Sequence, residues 1–148
     1  MRARLTILLV ASVALLVCVG AMAASAAAAQ RVFVKASIDS NELKVRPHAV
    51  LLSGDGTLAL YGIHYESFGG AVAKASGRAY TRGCTPDCAE GKVRRPGATI
   101  RFSDLLKCEG KLVYGELEYR LHGPLLKGYK RRESFDLRPL DETGKPVC

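Results

Sequence analysis

The chain has 148 residues and a net charge of +8, from 22 Lys and Arg against 14 Asp and Glu. A domain usually needs roughly 100–200 residues, so this length excludes an enzyme with a separate cofactor-binding module. Hydrophobic residues make up 48% of the chain, which is enough for a packed core and excludes wholesale disorder. We therefore expect one small folded domain.

Residues 1–29 have the pattern of an export signal. Two arginines precede a long apolar run, and Ala27 and Ala29 stand at the −3 and −1 positions of a cleavage site after Ala29. Cleavage after Ala23 or Ala26 is the other option. An uncleaved membrane anchor is the competing interpretation, because the apolar run is long enough to span a bilayer. The second half of that run is rich in alanine and only weakly hydrophobic, which favours cleavage. We expect a secreted chain that begins near Gln30.

Beyond Gln30 the sequence predicts short strands. Clusters of β-branched and aromatic residues alternate with Gly, Pro, Asp and Asn, and no segment keeps a helical period over three turns. The predicted strands cover residues 32–38, 49–52, 58–65, 71–81, 98–103, 111–121 and 132–137. A Gly-Asp-Gly turn at residues 54–56 predicts a hairpin. The expected fold is all-β: a small antiparallel sandwich or barrel of about six to seven short strands, held by disulfides.

Two predicted strands show a clear period of two. In one of them Ala98, Ile100 and Phe102 share a face, and Arg101 lies on the opposite face between Thr99 and Ser103. In residues 111–121 the apolar face carries a valine, two leucines and a tyrosine, and the polar face carries Glu116, Glu118 and Arg120. This alternation is typical of strands that bury one face and expose the other.

The expected organisation of the chain has four parts. These are a signal peptide at 1–29, an N-terminal strand and linker at 30–44, a β domain at 45–140 and a C-terminal tail at 141–148.

The mature segment contains four cysteines, Cys84, Cys88, Cys108 and Cys148. An even number in a small exported chain predicts two disulfides. A four-cysteine zinc site is the rival interpretation, but the spacing lacks the paired C-x2-C knuckles of such sites. The sequence therefore favours oxidised cysteines and no metal.

The pairing of the cysteines depends on the predicted strand at residues 98–103. Six extended residues span roughly 20 Å, and a disulfide needs Cα atoms within about 7 Å. We therefore expect a local Cys84–Cys88 bridge and a Cys108–Cys148 bridge that holds the tail. The competing pairing joins Cys88 to Cys108 and Cys84 to Cys148, because connectivity cannot be read from a sequence alone.

Three segments resemble one family of small exported actinobacterial proteins. The segments are residues 65–70 (Y-E-S-F-G-G), 84–91 (C-T-P-D-C-A-E-G) and 108–110 (C-E-G). They are similar to the W-x-S-W-G, C-x-P-x-C-A-x-G and C-x-G elements of that family. Tyr65 and Phe68 replace the usual tryptophans, so we expect them to keep a packing role. The family has no established activity, and the resemblance implies a small, secreted, disulfide-bearing protein.

No recognisable catalytic or metal-binding pattern occurs in the sequence. The three histidines of the mature segment, His48, His64 and His122, have none of the spacings that metal sites use. Two carboxylate pairs are present, Asp87 with Glu90 and Glu116 with Glu118, and we interpret them as turn chemistry and as a solvated strand face. We expect no enzymatic activity and no cofactor.

Two basic clusters are the remaining candidates for binding. The first contains Lys92, Arg94 and Arg95, and the second contains Lys127, Lys130, Arg131 and Arg132. A plain solvated face is the competing interpretation of both. We interpret the second cluster as a patch for a polyanion. The partner expected for an exported chain is an anionic cell-envelope polymer, and a dedicated nucleic-acid partner is not expected.

The expected function is therefore that of an extracellular or envelope-associated interaction protein. The alternative is a small secreted protease inhibitor that presents the loop at residues 84–88.

Overall fold

The computed structural model describes residues 30–148, and the predicted signal peptide lies outside the described residues. The described part contains nine strands and no helix. The strands are β1 (Val32–Ser37), β2 (Ser40–Lys44), β3 (Ala49–Leu51), β4 (Leu58–Ser67), β5 (Ala73–Arg82), β6 (Val93–Arg94), β7 (Gly97–Cys108), β8 (Lys111–Leu121) and β9 (Arg132–Asp136). Over residues 30–148, accordingly, nothing helical has the length and hydropathy needed to cross a membrane.

Six of the strands form a closed barrel in the order β1-β3-β4-β5-β7-β8, with β8 returning to β1. Most neighbours are antiparallel, but β1 runs parallel to both β3 and β8. Strand β9 pairs with the second half of β8, beyond the short stretch of β8 that pairs with β1. Strands β2 and β6 extend the sheet from β1 and β5. Closure leaves the six barrel strands without a long free edge.

The period of two decides which side chains fill the barrel. On β7, Ala98, Ile100 and Phe102 are buried, and Thr99 and Arg101 between them are exposed. The same alternation on β8 buries Val113, Leu117, Tyr119 and Leu121. The core therefore consists of the inward rows of the strands, and the outward rows remain polar.

Strand β4 bends around the barrel at a bulge. Gly62 has a φ of +58°, and the register of β4 with β5 shifts between Tyr61 and His64. A left-handed backbone at this point favours glycine, because a Cβ would be strained there. The extra residue places Ile63 in the core while His64 points outward.

An aromatic cluster closes one end of the barrel. The rings of Tyr65 and Phe68 lie edge to face at 5.0 Å, and Tyr65 stacks on Phe102 at 5.7 Å. The Tyr114 hydroxyl donates to the carbonyl of Gly70 at 2.7 Å. Burial raises the pKa of both tyrosines above the ordinary value. Tyr65 and Phe68 therefore pack within this cluster.

The opposite end is held by Tyr129, in the loop between β8 and β9. Its hydroxyl accepts from the Arg82 backbone N–H at 3.1 Å and lies 2.7 Å from the Arg82 carbonyl oxygen and 2.9 Å from that of Thr57. These contacts join the β8–β9 loop to the last residue of β5 and to the residue before β4. One side chain thus connects three segments that are far apart in the chain.

The C-terminal tail lies against β1 and β2. Cys148 bonds to Cys108 at the end of β7, and the Asn41 side chain pairs with the backbone of Leu140. Lys35 on β1 is buried beneath the segment that leads into the tail, and its ammonium group donates to the Arg138 carbonyl at 3.4 Å. Burial lowers the pKa of Lys35, and the nearby carboxylates of Asp136 and Asp39 oppose that shift.

The all-β prediction is confirmed, and the architecture is a barrel with both expected disulfides, Cys84–Cys88 and Cys108–Cys148. The predicted hairpin at residues 54–56 lies between β3 and β4. Two strands, β2 and β6, were not predicted, because both are short and polar. Residues 30–44 supply barrel strand β1 and the adjoining β2.

Candidate anion-binding face

Four cations lie on the outer surface of three neighbouring barrel strands. Lys74 and Arg78 are on β5, Arg101 is on β7 and Arg120 is on β8. All four are exposed, and each lies one residue away from a buried inward neighbour. We call this set of four the basic face.

The strand register shows how closely these cations lie. Lys74 is directly opposite Arg101, and Arg78 is opposite Gly97, four residues along β7 from Arg101. Arg120 is opposite Thr99 on β8. Neighbouring strands are about 4.8 Å apart and two residues along a strand cover about 6.8 Å. The four positive charges therefore share an area about 10 Å by 14 Å.

The basic face is not neutralised by the rest of the described chain. Within residues 30–148, no carboxylate oxygen lies within 4 Å of a charged nitrogen of its four members. Glu118 is opposite Arg101 in the register, but its carboxylate faces Arg132 on β9 at 3.8 Å. An uncompensated group of like charges attracts anions, and without a bound anion the mutual repulsion of its members destabilises the folded chain.

An aromatic ring extends this surface along β5. Tyr80 lies two residues beyond Arg78, and the guanidinium groups of Arg82 and Arg95 lie over its ring at 5.5 and 5.6 Å. Such contacts hold arginine side chains against the sheet. Arg82 also donates to two carbonyls of the neighbouring loop at 3.3 and 3.4 Å, whereas Arg95 is exposed. Arg95 belongs to the first of the two basic clusters found in the sequence, so the fold brings part of that cluster beside the basic face.

The second sequence cluster lies in the β8–β9 loop and at the start of β9, and most of its charges have local partners. Lys130 pairs with Glu133 at 3.1 Å. Arg131 donates to the carbonyls of Leu121 and Gly123 at 3.1 and 3.2 Å. Lys127 is exposed. The role predicted for this cluster in polyanion binding stays a prediction.

Arg132 is the member of that cluster that reaches the edge of the basic face, because the β8–β9 register places it opposite Arg120. The four members of the basic face form no cluster in the sequence, because they are spread over residues 74–120. Their signal was the strand alternation, which assigned Arg101 and Arg120 to polar strand faces. Only the pairing of β5 with β7 and of β7 with β8 brings those faces together.

The three histidines of the mature segment are exposed, as are Asp87 and Glu90. His64 lies on the outer face of β4, and the Nε2 atom of His122 lies 2.8 Å from the Thr99 hydroxyl. Asp87 accepts from the backbone N–H groups of Ala89 and Glu90, both at 2.8 Å. Among residues 30–148, no group of three or more His, Cys, Asp or Glu side chains is arranged to bind a metal.

The loop closed by the Cys84–Cys88 disulfide is exposed but tightly built. The Cα atoms of the two cysteines are 3.9 Å apart, and the Gly83 N–H donates to the Lys92 carbonyl at 3.0 Å. A Cβ on Gly91 would lie 1.5 Å from the Gly83 carbonyl oxygen, so no other residue fits there. The loop therefore folds back on itself instead of extending.

A polar cleft of about 600 Å³ lies next to the basic face. The Ser103 hydroxyl donates to Glu116 at 3.1 Å, and Arg101 reaches the same hydroxyl at 3.4 Å. Asp136 on β9 accepts from the Arg138 Nε atom at 3.0 Å, and this hydrogen bond lowers the pKa of the Asp136 carboxyl. The polar groups of the cleft therefore largely satisfy one another.

No protein-family model, curated protein or solved structure matches the chain.

Proposed function

We propose that the chain is exported and that its β-barrel binds an anionic polymer of the cell envelope through the basic face. The observation that carries the proposal is the group of four exposed cations with no carboxylate within 4 Å in residues 30–148. Binding to a polymer that carries many negative charges releases counterions, which makes such a surface favourable and its affinity dependent on salt.

Two features support the compartment of the proposed function. Two disulfides are consistent with an extracellular protein, because cytosolic thiols are normally kept reduced. The pattern of residues 1–29 predicts the export that would bring the chain there. N-terminal sequencing of protein from culture medium should find a start within a few residues of Gln30, and an intact Met1 on cytosolic protein would contradict export.

The test of binding measures retention of the purified exported chain on cell-wall material at low and high salt. We expect retention at low salt and release as the salt rises. Arg78→Gln with Arg120→Gln should weaken retention. Neither side chain makes a hydrogen bond or ion pair with another described residue, so both charges are free to contact the polymer. Lys107→Gln with Lys111→Gln is the matched control, since both lysines are exposed on the β7–β8 hairpin and the change of charge is the same. Equal weakening by both pairs would leave only an effect of net charge and contradict the proposal.

The sequence-predicted patch is compared in the same assay. Lys127→Gln with Lys130→Gln should weaken retention less than the Arg78 and Arg120 pair, because Lys130 already pairs with Glu133. A larger effect of the Lys127 and Lys130 pair would move the site to the β8–β9 loop.

The alternative function is protease inhibition by the loop at residues 84–88. Residues 84–88 are all exposed, which favours this role. The Asp87 turn and the short distance between the two cysteine Cα atoms weigh against it, because an inhibitory loop that mimics a substrate must enter the protease cleft in an extended form. Assays against a panel of secreted proteases separate the two functions.

A further inference from the structure

Two hydroxyl groups and a glycine lie in the middle of the basic face. Ser76 on β5 is directly opposite Thr99 on β7, and Gly97 lies opposite Arg78 one outward position further along. All three lie on the outer side of the sheet, and the His122 side chain borders Gly97, where a Cβ would lie 4.0 Å from the Cδ2 atom of that ring. We call these three residues the hydroxyl floor.

The cations surround this floor instead of covering it. Lys74 and Arg78 lie two residues on either side of Ser76, and Arg101 lies two residues from Thr99. Arg120 is beside Thr99 on the neighbouring strand. By the ordinary spacings of a sheet, each cation is about 5–8 Å from the floor, which is within reach of a long side chain.

From this arrangement we propose that the hydroxyl floor binds a phosphate group of the polymer, an inference that rests on the proposed function. The Ser76 hydroxyl donates from below. The Thr99 hydroxyl also donates when the His122 Nε2 atom, 2.8 Å from the Thr99 oxygen, carries the proton and donates to that oxygen. The arginine and lysine nitrogens donate from the sides. A tetrahedral phosphate presents oxygens in several directions and can accept from both sets of donors. A planar carboxylate presents its two oxygens in one plane and matches a single arginine fork better.

The composition of the surface favours a polymer over a membrane. Proteins that bind a lipid surface usually add apolar side chains that enter the bilayer. The large apolar side chains exposed in residues 30–148 are Val45, in the β2–β3 loop, and Val147, in the tail. Neither lies on the strands of the basic face.

The probes that test the inference are inorganic polyphosphate and poly-glutamate of the same number of charges. We expect the purified exported chain to bind polyphosphate about tenfold more tightly, because hydrogen bonds from neutral hydroxyls to a charged acceptor are among the stronger ones. Vesicles that contain phosphatidylglycerol form a third arm. Binding to those vesicles without binding to polyphosphate would overturn the choice of a polymer.

Removing the hydroxyls tests the floor itself. Ser76→Ala with Thr99→Val should lower the affinity for polyphosphate about tenfold and leave that for poly-glutamate unchanged. Valine and alanine keep the strands intact, and Thr99 is replaced by a residue of similar shape that favours strands. Ser134→Ala is the matched control, because Ser134 is exposed on β9 opposite Glu118 and outside the floor.

The outcomes separate the inference from the function on which it rests. Equal affinity for the two polymers, or no effect of the double hydroxyl variant, overturns the phosphate site while polymer binding stands. Failure to bind either polymer overturns both. The slope of log affinity against log salt should fall in magnitude by about 1.4 in Arg78→Gln with Arg120→Gln, at about 0.7 for each phosphate contact on a single strand. An unchanged slope would mean that these arginines do not contact phosphate.

Discussion

The side-chain amide of Asn41 pairs with both backbone groups of Leu140, 99 residues further along the chain. Its Nδ2 atom donates to the Leu140 carbonyl at 2.6 Å, and its Oδ1 atom accepts from the Leu140 N–H at 2.9 Å. Asn41 thus takes the place of a strand neighbour for the tail. This contact and the Cys108–Cys148 disulfide hold the tail at separate points.

Replacing Asn41 by alanine should lower the free energy of unfolding by about 1 kcal/mol, because two partly solvated hydrogen bonds are lost. Urea denaturation of the purified protein measures the change. Ser40→Ala, at the exposed neighbouring position, should have little effect. Equal stability of Asn41→Ala and the unchanged protein would mean that the tail is held by its disulfide alone.

The two disulfides should differ in their contribution to stability. Replacing Cys108 and Cys148 by serine opens a loop of 40 residues and should cost about 4 kcal/mol in the chain-entropy model. The same change at Cys84 and Cys88 opens a loop of four and should cost about 2 kcal/mol. Denaturation of the two double variants tests this order, and the reverse order would contradict it.

Tyr129→Phe should destabilise the barrel end by about 1–2 kcal/mol, because it removes a hydroxyl with three polar neighbours. The Arg82 N–H also donates to the Thr57 carbonyl at 2.9 Å, so it keeps one partner. We expect faster hydrogen exchange in the β8–β9 loop, with unchanged exchange at the aromatic cluster of the other end. Uniformly faster exchange would indicate global destabilisation instead.

Arg131→Gln should cost about 1 kcal/mol, because Arg131 holds the carbonyls of Leu121 and Gly123. Lys127→Gln, its exposed neighbour in the same loop, should leave the free energy of unfolding within about 0.5 kcal/mol. Thermal denaturation compares the two variants. Equal stability of both would show that the Arg131 hydrogen bonds contribute nothing in solution.

The pair of Asp136 and Arg138 should add an acid-dependent term to stability. The Arg138 hydrogen bond lowers the pKa of Asp136 in the folded chain, and the Lys35 charge adds to the shift. The stabilisation is therefore present above the ordinary aspartate pKa of about 4 and is lost as the pH falls through the lowered value.

Asp136→Asn should be less stable than the unchanged protein at pH 7, by no more than about 1 kcal/mol because both partners are partly exposed. The two stability curves should converge toward pH 2. Glu142→Gln, in the exposed tail, should leave the free energy of unfolding at pH 7 within about 0.5 kcal/mol. Curves for Asp136→Asn that stay apart at pH 2 would mean that the difference is not electrostatic.

Local patterns in the chain were sufficient to predict seven of the nine strands and to favour the observed disulfide pairing. The alternation in residues 98–103 and 111–121 reflects the two faces of a strand, and such patterns are independent of which strands pair. The cysteine prediction held for a similar reason. Strand β7, which is 12 residues long, separates Cys108 from the Cys84–Cys88 loop, because residues 93–97 pair near the end of β5 and do not return along β7.

Only the tertiary structure decided how the barrel closes and which cations meet. The parallel pairing of β1 with β8 joins residues 80 positions apart, and no local pattern in the sequence specifies such a contact. Lys74 and Arg120 belong to strands that never pair directly, and they share one surface because β7 lies between them. Charge clusters that are close in sequence, such as residues 127–132, can be recognised in the sequence alone. The basic face cannot, because its charges are neighbours across the sheet and not along the chain.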